Sequence, residues 1–118
     1  MINAEVERVR EVVRCYMDAT RRADTGALKR CFHRDARVSG CLGDRIMTGM
    51  PATFPETVPA REEEQHQAQL LSLSVTGRIA DAVVYEAPSP GKAGLEHHLQ
   101  LIEDGGTWRI IAKNFTTV

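Results

Sequence analysis

The sequence predicts an α+β fold, a curved antiparallel sheet with N-terminal helices over its concave face. Three observations lead there. Apolar residues early in the chain recur at helical spacing, with charged residues on the opposite side. After residue 35 the period shortens to that of strands, and from residue 66 onward long strand-like runs follow one another. Between the last two runs lies Glu103-Asp104-Gly105-Gly106-Thr107, where aspartate and glycines supply the positive φ angles of a tight hairpin turn. Helices first and strands later, without strict alternation, exclude a doubly wound parallel sheet. A strongly twisted sheet of this length curls into a cone, leaving room for a small molecule between helices and sheet.

Asn3 is placed to cap the first helix, with Glu5 and Glu7 against its positive end. Ile2, Val6, Val9, Val13, Tyr16, Met17 and Thr20 form its apolar stripe; Arg8, Glu11, Arg14, Asp18 and Arg22 form its solvated side. Asp24-Thr25-Gly26 ends that helix and caps a second, short one, whose apolar face is Ala27, Leu28, Cys31 and Phe32. His33 then falls at the helix exit, as a C-terminal cap. Ala36, Val38 and Gly40 alternate with Arg37 and Ser39 in a first strand. Leu42-Gly43-Asp44 turns it into a short second strand, 45–48. Pro51, Pro55 and Pro59 limit the stretch from Met50 to Val58 to a short or broken helix. Residues 61–65 are a solvated charge run, and His66 after them is expected in solvent. An antiparallel pair follows around Gly77, with Leu71, Leu73 and Val75 sharing one face of its first strand and Ile79, Val83 and Tyr85 one face of its second. Residues 88–94 read as a loop, and 95–102 with 108–115 as the final hairpin. The chain 1–118 reads as one domain without repeat or linker.

At 118 residues the chain is long enough for a core without disulfide staples. Its formal charge is −1, and no basic stripe interleaves with aromatics, so no nucleic-acid partner is expected. The first ten residues carry charges where a signal peptide needs an apolar run, and no segment approaches the ~20 apolar residues of a membrane span. A cytoplasmic protein away from the membrane is expected. Cys15, Cys31 and Cys41 are odd in number and lack paired spacing, which argues against a disulfide frame or a zinc knuckle. Cys15 and Cys31 read as small buried hydrophobes on helices. There is no phosphate loop, dinucleotide fingerprint, nucleophile motif or metal-ligand spacing, so neither cofactor nor metal is expected.

Tyr16 late in the first helix, Asp24 before the second, and Phe32-His33-Arg34-Asp35-Ala36 leading into a strand make the first part of a pattern. Gly49 and Phe54 follow, and the run from Leu99 to Ile110 closes it. In order and spacing, over nearly the whole chain, this resembles the nuclear transport factor 2-like superfamily. Within it, the chain is most similar to small bacterial proteins labelled putative lumazine-binding. The resemblance implies a cone-shaped α+β fold, commonly dimeric through its sheet. It implies no single function: members include steroid isomerases, dehydratases, polyketide cyclases, transport adaptors and binding proteins. Function has to be argued from the site.

By resemblance to the isomerases, Tyr16 matches a tyrosine that donates to a developing oxyanion. Their carboxylate base falls at Gly40, which cannot take a proton, and their second oxyanion acid falls at His97 or His98. Negligible 3-oxosteroid isomerase activity is therefore expected. Resemblance to the dehydratases pairs Tyr16 with an inward histidine, with Asp44 as a possible orienting carboxylate. His97 and His98 are neighbours on a strand, so they point to opposite faces. His97 shares its face with Leu95, Leu99 and Leu101; His98 shares its face with Glu96, Gln100 and Ile102. A concave leucine face turns His97 inward, whereas the register that suits the isomerases turns His98 inward. Phe32, Met50, Phe54 and Phe115 are further candidates for ligand walls.

These residues point to a small-molecule-binding protein with Tyr16 and one of His97 and His98 as polar anchors in its cavity. The alternative is an acid–base enzyme of dehydratase, cyclase or isomerase type, acting on a small carbonyl or hydroxy compound through the same residues. A third reading is an interacting homodimer with a vestigial cavity. In each case the outer face of the sheet is expected to carry a homodimer contact.

Overall fold

The computed structural model describes residues 3–52, 67–87 and 93–118. Helix α1 (Ala4–Arg22) opens on Asn3, whose side-chain oxygen accepts from the Glu5 N–H at 2.9 Å. It closes at Ala23, which takes a left-handed conformation (φ 53°) so that its N–H reaches back to the carbonyls of Ala19 and Thr20. Asp24 then accepts from the Ala27 N–H at 3.0 Å and starts α2 (Thr25–Cys31). The strands are β1 (Phe32–Leu42), β2 (Arg45–Pro51), β3 (Gln67–Thr76), β4 (Ile79–Ala87), β5 (Leu95–Asp104) and β6 (Thr107–Thr117). They form one curved, unclosed sheet in the order β2-β1-β6-β5-β4-β3.

The β1–β6 pair is parallel, so the sheet is mixed where an antiparallel one was expected. The reason lies in β6, which folds back on β5 through the Gly105-Gly106 turn. Its other edge then meets β1 running in the same direction. Phe32 is extended (φ −102°, ψ 142°): it is the C-cap residue of α2 and at once begins β1, so it is not part of the helix's apolar face and His33 lies in the strand rather than in the cap. At the other end of that hairpin, β2 continues through Met50 to Pro51 where a helix was expected to begin. Gly49, at φ +59°, absorbs a bulge in the β1–β2 register, and its N–H donates to Ser39 Oγ at 2.8 Å. The rest of the expected helix, Phe54 with it, the charge run 61–65, His66 and most of the loop 88–94 lie outside the described residues.

Two further bulges decide which side chains face inward. In β3, Leu70 pairs with Val84 and Ser72 with Val83, leaving Leu71 without a partner residue. Leu71 is therefore exposed while Leu70, Leu73 and Val75 pack on the core, so Leu71 does not share their face. In β6, Ile110 pairs with Leu101 and Ala112 with Gln100. Ile111 is the extra residue, and the inward set changes parity there: Trp108 and Ile110 before it, Lys113 and Phe115 after it.

Val9, Val13, Tyr16 and Ala19 of α1 are buried, the first three in one cluster with Ala80, Ala82 and Val84 of β4, Leu99 and Leu101 of β5, and Ile110 of β6 on the concave face. Each fully buried valine or leucine in this layer is worth about 1.5–3 kcal/mol. On β4 the inward residues are the even ones, so Ile79, Val83 and Tyr85 lie on the outer face. Cys31 is buried, and desolvation pushes its thiol up to about 11. Cys15 is exposed, not buried as expected, because it falls on the solvent side of α1. Among the described residues no helix is long and apolar enough to cross a membrane.

Candidate functional site

The inner face of the sheet becomes polar toward one end. On β4 the inward series Ala80, Ala82, Val84 finishes with Glu86, and on β5 the series Leu101, Leu99 finishes with His97. Val84 pairs with His97, and Glu86 with Leu95, so Glu86 and His97 are diagonal neighbours on one face. The His97 Nε2 donates to Glu86 Oε1 at 2.9 Å. Both are buried, His97 to 3% and Glu86 to 8% exposure. The carboxylate fixes the proton on Nε2 and the plane of the ring.

The bulge at Ile111 brings Lys113 opposite Leu99 and Phe115 opposite His97. Lys113 Nζ donates to the hydroxyl of Tyr16 at 3.1 Å and lies 5.5 Å from the centre of the Phe115 ring. Tyr16, 3% exposed, meets Phe32 edge-on at 5.9 Å and His97 edge-on at 6.3 Å between ring centres. His97 and Phe115 are 6.0 Å apart with tilted planes. Two polar pairs, Tyr16–Lys113 and His97–Glu86, thus stand side by side between Phe32 and Phe115. Chemically, the pairs offer a phenol with an ammonium at one end and an imidazole backed by a carboxylate at the other, groups that can donate to and accept from a polar molecule.

Of the predicted site residues, Tyr16, Phe32, His97 and Phe115 come together here. His98 does not: its side chain is 59% exposed on the outer face and bonds to Glu96 Oε2 at 2.7 Å. The leucine face is the concave one, so it is His97 that turns inward. Met50 is half-buried on β2, opposite Val38. Phe54 lies outside the described residues. Asp44 is exposed in the β1–β2 turn, and the carboxylate on the inward histidine is Glu86. Glu86 and Lys113 are the residues that reading the sequence missed. For Glu86 a signal existed, an alanine–alanine–valine series at alternate positions ending in an acid. For Lys113 none did, because strict alternation puts it on the face opposite Trp108.

The family model described as putative lumazine-binding matches residues 4–116. The chain belongs to that family. No functionally curated protein matches it. Among solved structures it is similar to a nuclear transport factor 2-like protein of unknown function from Methylobacillus flagellatus KT, at 20% identity and a TM-score of 0.85, covering 100% of this chain and 95% of that one. A second such protein of unknown function, from Silicibacter pomeroyi DSS-3, matches at 22% identity and a TM-score of 0.78 over 100% of both chains. A ketosteroid isomerase-like protein from Erwinia carotovora atroseptica SCRI1043 matches at 12% identity and a TM-score of 0.69, over 99% and 98%. These likenesses show the fold, a nuclear transport factor 2-like α+β cone.

Proposed function

We propose that this member of the family binds a small planar molecule against Tyr16, His97 and Phe115, with Lys113 and Glu86 as further polar anchors. What carries the reading is the pair of polar contacts set into an otherwise aliphatic and aromatic face. Burying such groups costs several kcal/mol that apolar residues of similar volume would not, so their presence favours a task beyond packing. A ligand carbonyl suits the Tyr16–Lys113 end, and a ring N–H or hydroxyl suits the His97–Glu86 end. Lumazine, the compound in the family's name, offers both kinds of group and is fluorescent. Titration with lumazine is the test, with about tenfold weaker binding expected in Tyr16→Phe, the worth of one charge-assisted hydrogen bond. No saturable signal with lumazine, and no thermal stabilisation by other planar carbonyl compounds, would overturn it.

A second reading, acid–base catalysis on a small carbonyl or hydroxy compound, is favoured by one observation. An imidazole oriented by a buried carboxylate is the arrangement of a general base. For assembly, the outer sheet face supports a homodimer. Ile79, 56% exposed, pairs with Ile102, and Val83 pairs with His98 on that side.

A further inference from the structure

A cleft of about 630 Å³ lies where α2, the start of β1 and the β5–β6 hairpin meet. That volume is in the range of small-molecule sites. Three fixed cations line it from three elements: Lys29 of α2, Arg34 of β1 and Arg109 of β6. Among the described residues the one carboxylate on its wall, Asp104, is already engaged. His33 Nε2 donates to Asp104 Oδ2 at 2.8 Å, while His33 Nδ1 accepts the Asp35 N–H at 3.0 Å. Those two bonds leave the histidine proton on Nε2 and hold the ring, 10% exposed, in one tautomer. The hydrogen bond from His33 also holds the Asp104 carboxyl below the usual carboxylate range, with smaller contributions from Arg34 and Arg78. Among the described residues Lys29 and Arg109 make no ion pair, and Arg34 has only Asp35, at 3.8 Å.

Cations converging on one hollow repel one another unless an anion joins them. Guanidinium forks match the oxygens of a phosphoryl group, and three cations from three sides suit a tetrahedral, doubly charged head better than a flat carboxylate. The Phe32 ring and Ala52 give the cleft an apolar wall. We propose that this cleft is a second ligand site, for a small organic phosphate whose head meets Lys29, Arg34 and Arg109 and whose carbon body lies on Phe32 and Ala52. The site is built from different polar residues than the interior pairs and does not depend on them.

The test titrates the full chain at low salt with phenyl phosphate, inorganic phosphate and benzoate, followed by backbone amide NMR. Phenyl phosphate is expected to shift the amides of Lys29, Arg34 and Arg109 saturably, and to bind less tightly as salt is added. Arg109→Gln and Arg34→Gln should each weaken it by about tenfold. Arg34 is 88% exposed, so its replacement leaves the fold intact, and lumazine titration of that variant should match the unsubstituted protein. Benzoate binding as tightly as phenyl phosphate would remove the phosphoryl head from the proposal, and inorganic phosphate binding as tightly would remove the carbon body. Shifts that do not saturate, or that survive Arg34→Gln unchanged, overturn the site altogether.

Discussion

The ring of Phe115 lies directly on the backbone of Gly40: a Cβ built there would fall 2.4–2.5 Å from three of its ring carbons. The two residues are register partners across the parallel β1–β6 pair. Glycine is present because an aromatic ring occupies the space a side chain would need. The position where the resemblance places the isomerases' base is therefore filled by Phe115.

This relationship makes a prediction about both stability and activity. Gly40→Ala should lower stability by about 1–3 kcal/mol through overpacking. The double change with Phe115→Ala should cost less than the sum of the single changes, since the clash is then gone. Gly40→Asp should likewise fail to create a 3-oxosteroid isomerase, and the unsubstituted protein should show negligible turnover of a Δ5-3-ketosteroid. Denaturant melts and a spectrophotometric assay decide these points; turnover abolished by Tyr16→Phe would contradict the binding reading.

Glu86 and His97 should behave as a unit. Glu86→Ala leaves the buried imidazole without its carboxylate and should cost about 3–5 kcal/mol. Glu86→Leu combined with His97→Leu should cost less than that single change, because neither polar group is then stranded. A double-mutant cycle by chemical denaturation measures the coupling. A coupling energy near zero would mean that the 2.9 Å contact contributes nothing.

The single tryptophan reports on acid titration. Trp108 Nε1 donates to Glu5 Oε2 at 2.7 Å, and this bond, followed by that from Arg8, holds the Glu5 carboxyl below its ordinary 4.5. A depressed folded value means the contact stabilises the protein above the unfolded value, and that stabilisation is lost as pH falls through the folded one. Trp108 fluorescence should therefore titrate with a midpoint below 4.5. Glu5→Gln should flatten the curve. A midpoint at or above the ordinary value would contradict the assignment.

The outer face yields a prediction on assembly. Ile79→Glu places a charge amid Ile102 and its neighbours, which a solvated face tolerates at a cost within about 0.5 kcal/mol. A sheet-to-sheet homodimer would dissociate. Light scattering should give a dimer for the unsubstituted chain and a monomer for the variant at the same concentration; a monomer in both would remove the assembly proposal.

What was legible in the sequence was what periodicity and local turn chemistry encode. Asn3 and Asp24 cap the helices as their positions indicated, and the stripe through Val9, Val13 and Tyr16 is the buried face. The hairpin at Gly105-Gly106 is present. What stayed illegible was non-local. No local signal says that β6 would find β1 in parallel, and a bulge changes the meaning of every residue after it. Leu71 was placed on one face with Leu73 and Val75, and Lys113 was not considered for the site, each because one extra residue shifted a strand by one place. The choice between His97 and His98 needed the knowledge of which face is concave. The small alanines on β4 hid that face behind the bulkier Ile79, Val83 and Tyr85.

The place of β6 also bears on how the molecule comes into being. In space it lies between β1 and β5, yet translation delivers it after both. Until residues 107–117 have left the ribosome, the β1–β2 hairpin and the β3–β5 meander are two unjoined half-sheets, each with an open edge. Such edges recruit stray strands, so the nascent chain passes through a window in which it is vulnerable to mispairing and open to chaperones. The same eleven residues that complete the inner wall with Ile110, Lys113 and Phe115 therefore act as the closing seam of biosynthesis. Damage to them is a folding lesion before it is a functional one.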